Sequence, residues 1–329
     1  MAKNIAEFSI IDEFFKPLTN SVAAAQNLAD DVAKISLKKG EDLVISKDMI
    51  VEDVHFLRKD GGFKIASKLL RSNLSDIAAA GAKPIYYMLG FSKDNKMDKS
   101  FFTEFARGLK ESQDEFGISL IGGDTVKTSS KLFFSITILG IVKENQNLLR
   151  KNGKKDDIVF VSGNIGDAAI GLMLARGSKL DLIADEKKYF LARHFFPTPR
   201  IKLGQSLASQ NLSHCAIDVS DGLLADLQHI CEESNLSAFI YQSRIPLTIT
   251  KKTLPKSISP LDLISAGDDY ELIFTAKKSA EKKILRLAKT LKIKITAIGY
   301  LKNATKKPTV TILDNSDKPI NFSKYGYQH

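Results

Sequence analysis

Acidic residues flanked by hydroxyls and glycines recur along the whole chain: Asp30-Asp31, Ser46 with Asp48, Asp76, Gly122-Gly123-Asp124-Thr125, Asp218 with Ser220 and Asp221, and Asp268-Asp269. A buried carboxylate is costly unless something cationic compensates it. Each group alone has a plain reading: a solvated turn for Asp30-Asp31, a helix terminus for Asp221, a loop device for Gly-Gly-Asp. Taken together they are a supply of hard oxygen donors without a His/Cys set, which selects magnesium over zinc or iron. Magnesium seldom fills its shell from protein alone and shares oxygens with bound phosphates. Many carboxylates, Gly-rich turns and no covalent nucleophile suggest phosphoryl transfer by positioning and charge neutralisation.

Several elements must position these groups. Phe63, Ala66, Leu69, Leu70, Leu74 and Ile77 recur at helical spacing, which puts Asp76 at the edge of an amphipathic helix; Gly81 stops it and Pro84 bars an early restart. Leu43 to Asp48 reads as a strand whose end carries Ser46 and Asp48 on one face. Pro84 to Phe91 and Leu132 to Val142 read as strands, and Lys99 to Phe116 as a helix. Ile118 to Ile121 is a short strand running into a Gly122-Gly123-Asp124 turn, where the backbone can approach phosphate oxygens. Further on, Asp157 to Ser162 is a strand and Ala168 to Leu174 a helix. The intervening Gly163-Asn-Ile-Gly-Asp167 is neither a Walker loop nor the dinucleotide pattern. A strand ends at Asp218, Ser220 is suited to cap the next helix, and Asp221 falls in its first turn. Asp268 and Asp269 occupy a turn entering the strand Glu271 to Thr275, and a last helix and strand run from Ser279 to Gly299. Ala6 to Phe15 reads as a short amphipathic helix, and a lone histidine such as His55 gains weight only from its neighbours. This alternation argues for an α/β (α+β) chain. The basic, Gly-containing stretch Arg150 to Lys155 marks a boundary between residues 1–150 and 151–329.

Composition narrows the class. With 43% hydrophobic and 26% charged residues the chain reads as globular. A net charge of +10 invites nucleic acid, but the lysines are scattered (Lys38-Lys39, Lys154-Lys155, Lys187-Lys188, Lys251-Lys252) without an aromatic-interleaved stripe. They form a solvated surface that helps draw in anionic substrates, so no nucleic-acid partner is expected. No secretory start and no bilayer-length apolar run are present, and Cys215 and Cys231 lack metal or disulfide spacing. A cytoplasmic location with no membrane partner is the expectation.

The combination Ile45-Ser-Lys-Asp48, His55-Phe56, Asn73-Leu-Ser-Asp76, Gly122-Gly-Asp-Thr125, Ile217-Asp-Val-Ser-Asp-Gly222, Asp226-Leu-Gln-His-Ile230 and Gly267-Asp-Asp-Tyr-Glu-Leu272 resembles the thiamine-monophosphate kinases. These belong to the ATP-binding superfamily of aminoimidazole ribonucleotide synthetase. The resemblance runs in order from about Glu7 to Gly326-Tyr327. It implies a two-domain subunit: an N-terminal domain that binds ATP and magnesium and whose sheet forms the interface of a homodimer, and a C-terminal α/β domain that completes the active site. It implies magnesium-assisted transfer of the ATP γ-phosphoryl group to thiamine monophosphate, giving thiamine diphosphate. Carried over by position, the magnesium set is Asp31, Ser46, Asp48, Asp76, Asp124, Asp218 and Asp221, with Asp30 and Lys47 as outlying members. Asp124, Asp218 and Asp221 would be catalytic. Gly123, Asp124, Arg150 and Ser220 would face ATP; His55, Asp268 and Tyr327 would meet the thiamine phosphate.

Three positions depart from the family pattern: Ala29 and Lys47 stand where Gly and Thr or Ser are usual, and Asp268 where Glu is. Rivals within the superfamily fit less well. The hydrogenase-maturation carbamoyl dehydratase ends in a cysteine, where this sequence has Tyr327-Gln328-His329, and selenophosphate synthetase carries a reactive one near its start, whereas the first cysteine here is Cys215. A non-catalytic binder of thiamine phosphates or nucleotides is the alternative of another class, kept open by Lys47.

Overall fold

The computed structural model describes residues 7–249, 254, 258–322 and 326–327. Ala6, Lys251 and Lys252 lie outside the described residues. The chain divides into two compact units. The first holds the chain up to Ile77 together with Lys83–Asn145; the second holds Ala78–Ala82 and the chain from Gln146 onward.

In the first unit, short helical turns beginning with α1 (Glu7–Ile10) precede β1 (Glu41–Val51), α2 (Gly62–Ala79), β2 (Lys83–Lys93), α3 (Lys99–Phe116), β3 (Ser119–Lys127) and β4 (Phe133–Lys143). The strands form one mixed sheet in the order β1-β4-β2-β3. β4 is antiparallel to both β1 and β2, and β2 and β3 run parallel across the α3 crossover. The bounds of α3 have local causes: the Asp98 carboxylate accepts the Phe101 amide at 2.9 Å, and Gly117 ends the helix at φ +67. One face of the sheet is closed by helices over an aromatic core. Phe134 stands 4.8 Å from Phe105 and 4.9 Å from Phe91, ring centre to ring centre.

The second unit carries β5 (Ile158–Ser162), α4 (Asp167–Ala175), α5 (Ala184–Phe195), α6 (Ile201–Ser209), β6 (Cys215–Asp218), α7 (Leu223–Ser234), β7 (Leu236–Tyr241), α8 (Pro260–Ile264), β8 (Leu272–Ala276), α9 (Glu281–Leu291), β9 (Ile295–Asn303) and β10 (Val310–Leu313). Its sheet runs β10-β7-β9-β5-β8-β6. Val159, Val161, Ile217 and Ile273 from the strands pack with Leu223, Leu227 and Ile230 of α7. No helix among the described residues is long and apolar enough to cross a membrane.

Two local readings of the sequence change. Ser46 and Asp48 lie in the middle of an eleven-residue strand, not at its end. Gly122-Gly123-Asp124 is part of β3 rather than a turn.

Candidate active site

β1 and α2 bring the first group of donors together. Side chains alternate along a strand, so Ser46 and Asp48 face the helix while Lys47 faces away. Ser46 Oγ donates to Asp76 Oδ2 at 2.6 Å. The buried Asn73 clamps the pair of elements: its carboxamide oxygen accepts the Asp48 amide at 3.1 Å and its Nδ2 donates to the Leu69 carbonyl at 2.8 Å. Asn73 is therefore a positioning residue that the motif contained but its residue type did not announce.

Lys47 belongs elsewhere. Its ammonium donates to Ser135 Oγ at 3.2 Å and Thr137 Oγ1 at 3.4 Å, across the opposite face of the sheet. Within this chain its side chain is therefore not beside those of Ser46, Asp48 and Asp76. Period-two alternation, applied at residue 47, carried that signal.

Asp124 also lies apart from Ser46 and Asp48. Across the sheet Met49 pairs with Ser135, Ser135 with Gly90, and Gly90 with Asp124. Asp124 is thus exposed on the face that carries Lys47, on β3, at the far edge of the sheet from β1. Three strand spacings, about 14 Å at roughly 4.8 Å each, separate it from β1 within one chain. Gly123 is explained by backbone proximity: a Cβ there would sit 2.1 Å from the Leu89 carbonyl oxygen. At Gly122 a Cβ would meet only the end of the Met88 side chain, at 3.2 Å.

Asp30 and Asp31 occupy an exposed bend. Ala29 stands at φ −100, a conformation that needs no glycine, so this departure from the family pattern carries no backbone cost. His55 sits in the turn after β1, where its Nδ1 accepts the Val51 amide at 3.1 Å.

In the second unit, three stretches distant in sequence are laced together by main-chain hydrogen bonds. The amides of Asp268 and Tyr270 donate to the carbonyls of Ser220 and Val219, each at 2.8 Å, and the Tyr327 amide donates to the Asp221 carbonyl at 2.9 Å. Gly267 lets the strands of this knot approach, since a Cβ would fall 2.1 Å from the Ser220 carbonyl oxygen. Asp218, Ser220, Asp221, Asp268 and Tyr327 are thereby neighbours. Arg150 is exposed, and its carbonyl is fixed by Ser234 Oγ at 2.8 Å.

Ser220 does not cap α7, and Asp221 precedes that helix rather than lying in its first turn. The helix start at Gly222 has no side-chain cap; Asp226, in its first turn, instead holds the approach to the helix, its Oδ2 accepting the amides of Ser220, Asp221 and Gly222 at 3.0, 3.0 and 3.1 Å. Burial, together with the Asp221 charge, pushes the Asp226 carboxyl up to about 7. Asp269 points inward: its two oxygens accept the Gly166 and Ala168 amides at 2.7 and 3.1 Å, at the start of α4. Burial pushes it up to about 8. Glu271, fully buried, is held by Arg193 at 2.8 Å, by Arg200 Nε at 2.6 Å and by Ser162 Oγ at 2.6 Å. Asp269 and Glu271 fix the loop that displays Asp268, which stands at φ +71. The Tyr270 hydroxyl donates to Asp268 Oδ1 at 3.1 Å.

Among the described residues no group of three or more His, Cys, Asp and Glu side chains is close enough to hold a metal ion. The donors instead come as a hydroxyl–carboxylate pair with Asp48 beside it in one unit and as Asp218 with Asp221 in the other.

Comparison with known proteins gives this arrangement a lineage. Residues 29–142 match the N-terminal domain of AIR synthase related proteins, and residues 154–311 match the C-terminal domain. The thiamine-monophosphate kinase of Buchnera aphidicola (subsp. Schizaphis graminum) is 35% identical over 98% of both chains. The crystal structure of thiamine-monophosphate kinase from Stenotrophomonas maltophilia is 34% identical and superposes with a TM-score of 0.81 over 93% of this chain and 96% of that one. AaThiL, solved in complex with AMPPCP and TMP, shares the fold at 23% identity and a TM-score of 0.76, covering 99% of this chain and 100% of that one. The chain belongs to the thiamine-monophosphate kinase family.

Proposed function

We propose that this chain transfers the γ-phosphoryl group of ATP to the phosphate of thiamine monophosphate, giving thiamine diphosphate. The observation that carries this reading is 35% identity to a thiamine-monophosphate kinase over 98% of both lengths. The acceptor is already an anionic phosphate oxygen, so the work is to bring two polyanions together rather than to deprotonate a nucleophile.

Magnesium fits the donors present. Ser46 Oγ and Asp76 Oδ2 lie 2.6 Å apart, and both are hard oxygens. When bound, the ion supplies neutralisation of the phosphate charge. In the first unit we assign Asp31, Ser46, Asp48, Asp76 and Asp124 to magnesium, with Asp30 beside them; in the second, Asp218 and Asp221. Gly123, Asp124, Arg150 and Ser220 are assigned to ATP, with Arg150 supplying a fixed donor fork. His55, Asp268 and Tyr327 are assigned to thiamine monophosphate, Tyr327 offering an aromatic face to a cationic ring system.

The working form is a homodimer. Ile45, Met49, Met88 and Val126 are exposed, and the strand pairings put all four on one face of the first sheet. Both edges of that sheet, β1 and β3, have an unpaired side. Joining the β3 edge of one copy to the β1 edge of another would set the partner's Asp124 next to β1, on the Lys47 side of the strand that carries Ser46 and Asp48. This removes the width of the sheet that separates β1 from Asp124 within one chain. The place of action is the cytoplasm.

The test is a coupled assay for ADP with ATP and magnesium, with and without thiamine monophosphate, and direct identification of thiamine diphosphate. Turnover that requires the monophosphate and stops with chelator is expected. Binding of both ligands without turnover, or turnover only with a different acceptor, would overturn the assignment.

A further inference from the structure

The turn that follows β1 fixes the protonation of a ring. The Val51 amide donates to His55 Nδ1 at 3.1 Å, and the His55 amide donates back to the Val51 carbonyl at 2.9 Å. A main-chain amide can only donate, so Nδ1 must present its lone pair. An imidazole with a lone pair at Nδ1 is neutral and carries its proton on Nε2. An imidazolium, with hydrogens on both nitrogens, would set N–H against N–H at Val51 and lose that bond.

The turn is also braced. Glu52, 8% exposed, accepts Arg58 Nε at 2.9 Å, Arg58 Nη2 at 3.0 Å and the Leu132 amide at 3.0 Å. The same guanidinium reaches Asp94, just beyond β2, through Nη1 at 3.2 Å and Nη2 at 2.8 Å. Asp94 in turn accepts the Lys96 and Met97 amides at 3.0 and 3.1 Å. Arg58 therefore ties the His55 turn to the end of β2 and the entry of β4. A planar fork satisfied on two sides is stiff in a way that an ammonium cannot reproduce. The Arg58 hydrogen bond holds the Glu52 carboxyl below its ordinary range, so the brace is charged at neutral pH.

We propose that His55 meets the substrate as a neutral, directionally fixed Nε2–H donor, its tautomer set by the Val51 amide, with Arg58 as the positioning residue that holds the turn through Glu52 and Asp94. This rests on the reading that His55 faces the thiamine phosphate, and it changes what the residue supplies. Recognition comes from the direction of one hydrogen bond to a phosphate oxygen. A mobile positive charge plays no part in it.

Two isosteres separate the ring nitrogens. In His55→Gln the side-chain amide offers N–H donors near the place of Nε2; in His55→Asn the carboxamide oxygen replaces the acceptor at Nδ1 and no donor reaches the Nε2 position. The KM for thiamine monophosphate is expected to stay within about threefold of wild type in H55Q and to rise about tenfold or more in H55N, with the KM for ATP unchanged in both. Arg58→Lys should raise the KM for thiamine monophosphate and spare that for ATP, whereas a merely structural role would lower stability without that split. Nitrogen-15 spectra of the full-length wild-type chain, labelled at histidine and compared with H55N for assignment, should show His55 as the neutral Nε2–H form at pH 7.5. A proton on Nδ1, an imidazolium, or an H55N enzyme as good as H55Q would overturn the proposal. Absence of any monophosphate-dependent turnover in wild type would instead overturn the proposed function, and the ring spectrum would still decide the tautomer.

Discussion

One oxygen of Asp226 gathers three successive main-chain amides, and those amides belong to the stretch that carries Ser220 and Asp221. Asp226→Ala should cost about 3 kcal/mol in a urea titration, because buried donors are left unmatched, and turnover should fall with it. Asp124 lies on an exposed face where no packing depends on its charge. Asp124→Asn is accordingly expected to abolish turnover while the thermal midpoint stays within about 2 °C of wild type. Asp269 gives a pH signature. Its carboxyl is raised from 3.8 to about 8 by burial, so its stabilising contribution is intact below the lower value and is lost as pH climbs through the upper one. Asp269→Asn stays neutral, so the stability difference should shift in the variant's favour across that window; parallel pH profiles would remove this role. At this scale the sequence displayed the acids but not their duties. Asp226 and Asp269 face inward to hold amides, and that depends on which loops pass them, which residue type does not encode. Ser220 has the right chemistry for a cap, but the helix starts three residues later, at Leu223, and Ser220 lies in the loop that Asp226 holds.

The elements were legible where local causes dominate. α3 spans Lys99–Phe116 because Asp98 and Gly117 set its ends, both readable from type and position. The turn assigned to Gly122-Gly123 was not legible, since glycine pairs favour turns when only neighbours are considered. What fixes Gly123 in β3 is the Leu89 carbonyl on a strand more than thirty residues earlier. The two glycines should therefore respond differently to alanine. Gly123→Ala forces β3 off β2 and should cost about 2 kcal/mol or more, whereas Gly122→Ala meets only the flexible end of Met88 and should cost less than about 1 kcal/mol. Thermal midpoints of the two purified variants decide the matter. The β10–β7 pairing, Val310 with Ala238, closes over seventy residues and left no local trace in the chain.

For the whole molecule, the order β1-β4-β2-β3 matters more than any single contact. It separates Asp48 from Asp124 by the width of a sheet, and no reading of motifs along the chain could reveal that distance. If partner edges complete the donor set, two inactive chains should rescue each other. Asp48→Asn and Asp124→Asn, each inactive alone, should regain up to about a quarter of wild-type activity after co-expression: half the dimers are mixed, and one of their two sites is intact. Activity that stays at background in verified mixed dimers would place the whole donor set within one chain. An aspartate at Met49 should in turn yield a monomer by light scattering, with half the mass and no turnover.

The two open edges of that sheet also bear on inheritance. A chain that folds but lacks Asp124 would enter dimers in a cell that also makes the normal one. By pairing with a sound chain it would disable a site whose other residues are intact, while lending its own intact half to the partner. The two effects cancel: a mixed dimer keeps one working site, as many as its sound chain would bring to a sound dimer, so the allele would be as recessive as one that prevents folding.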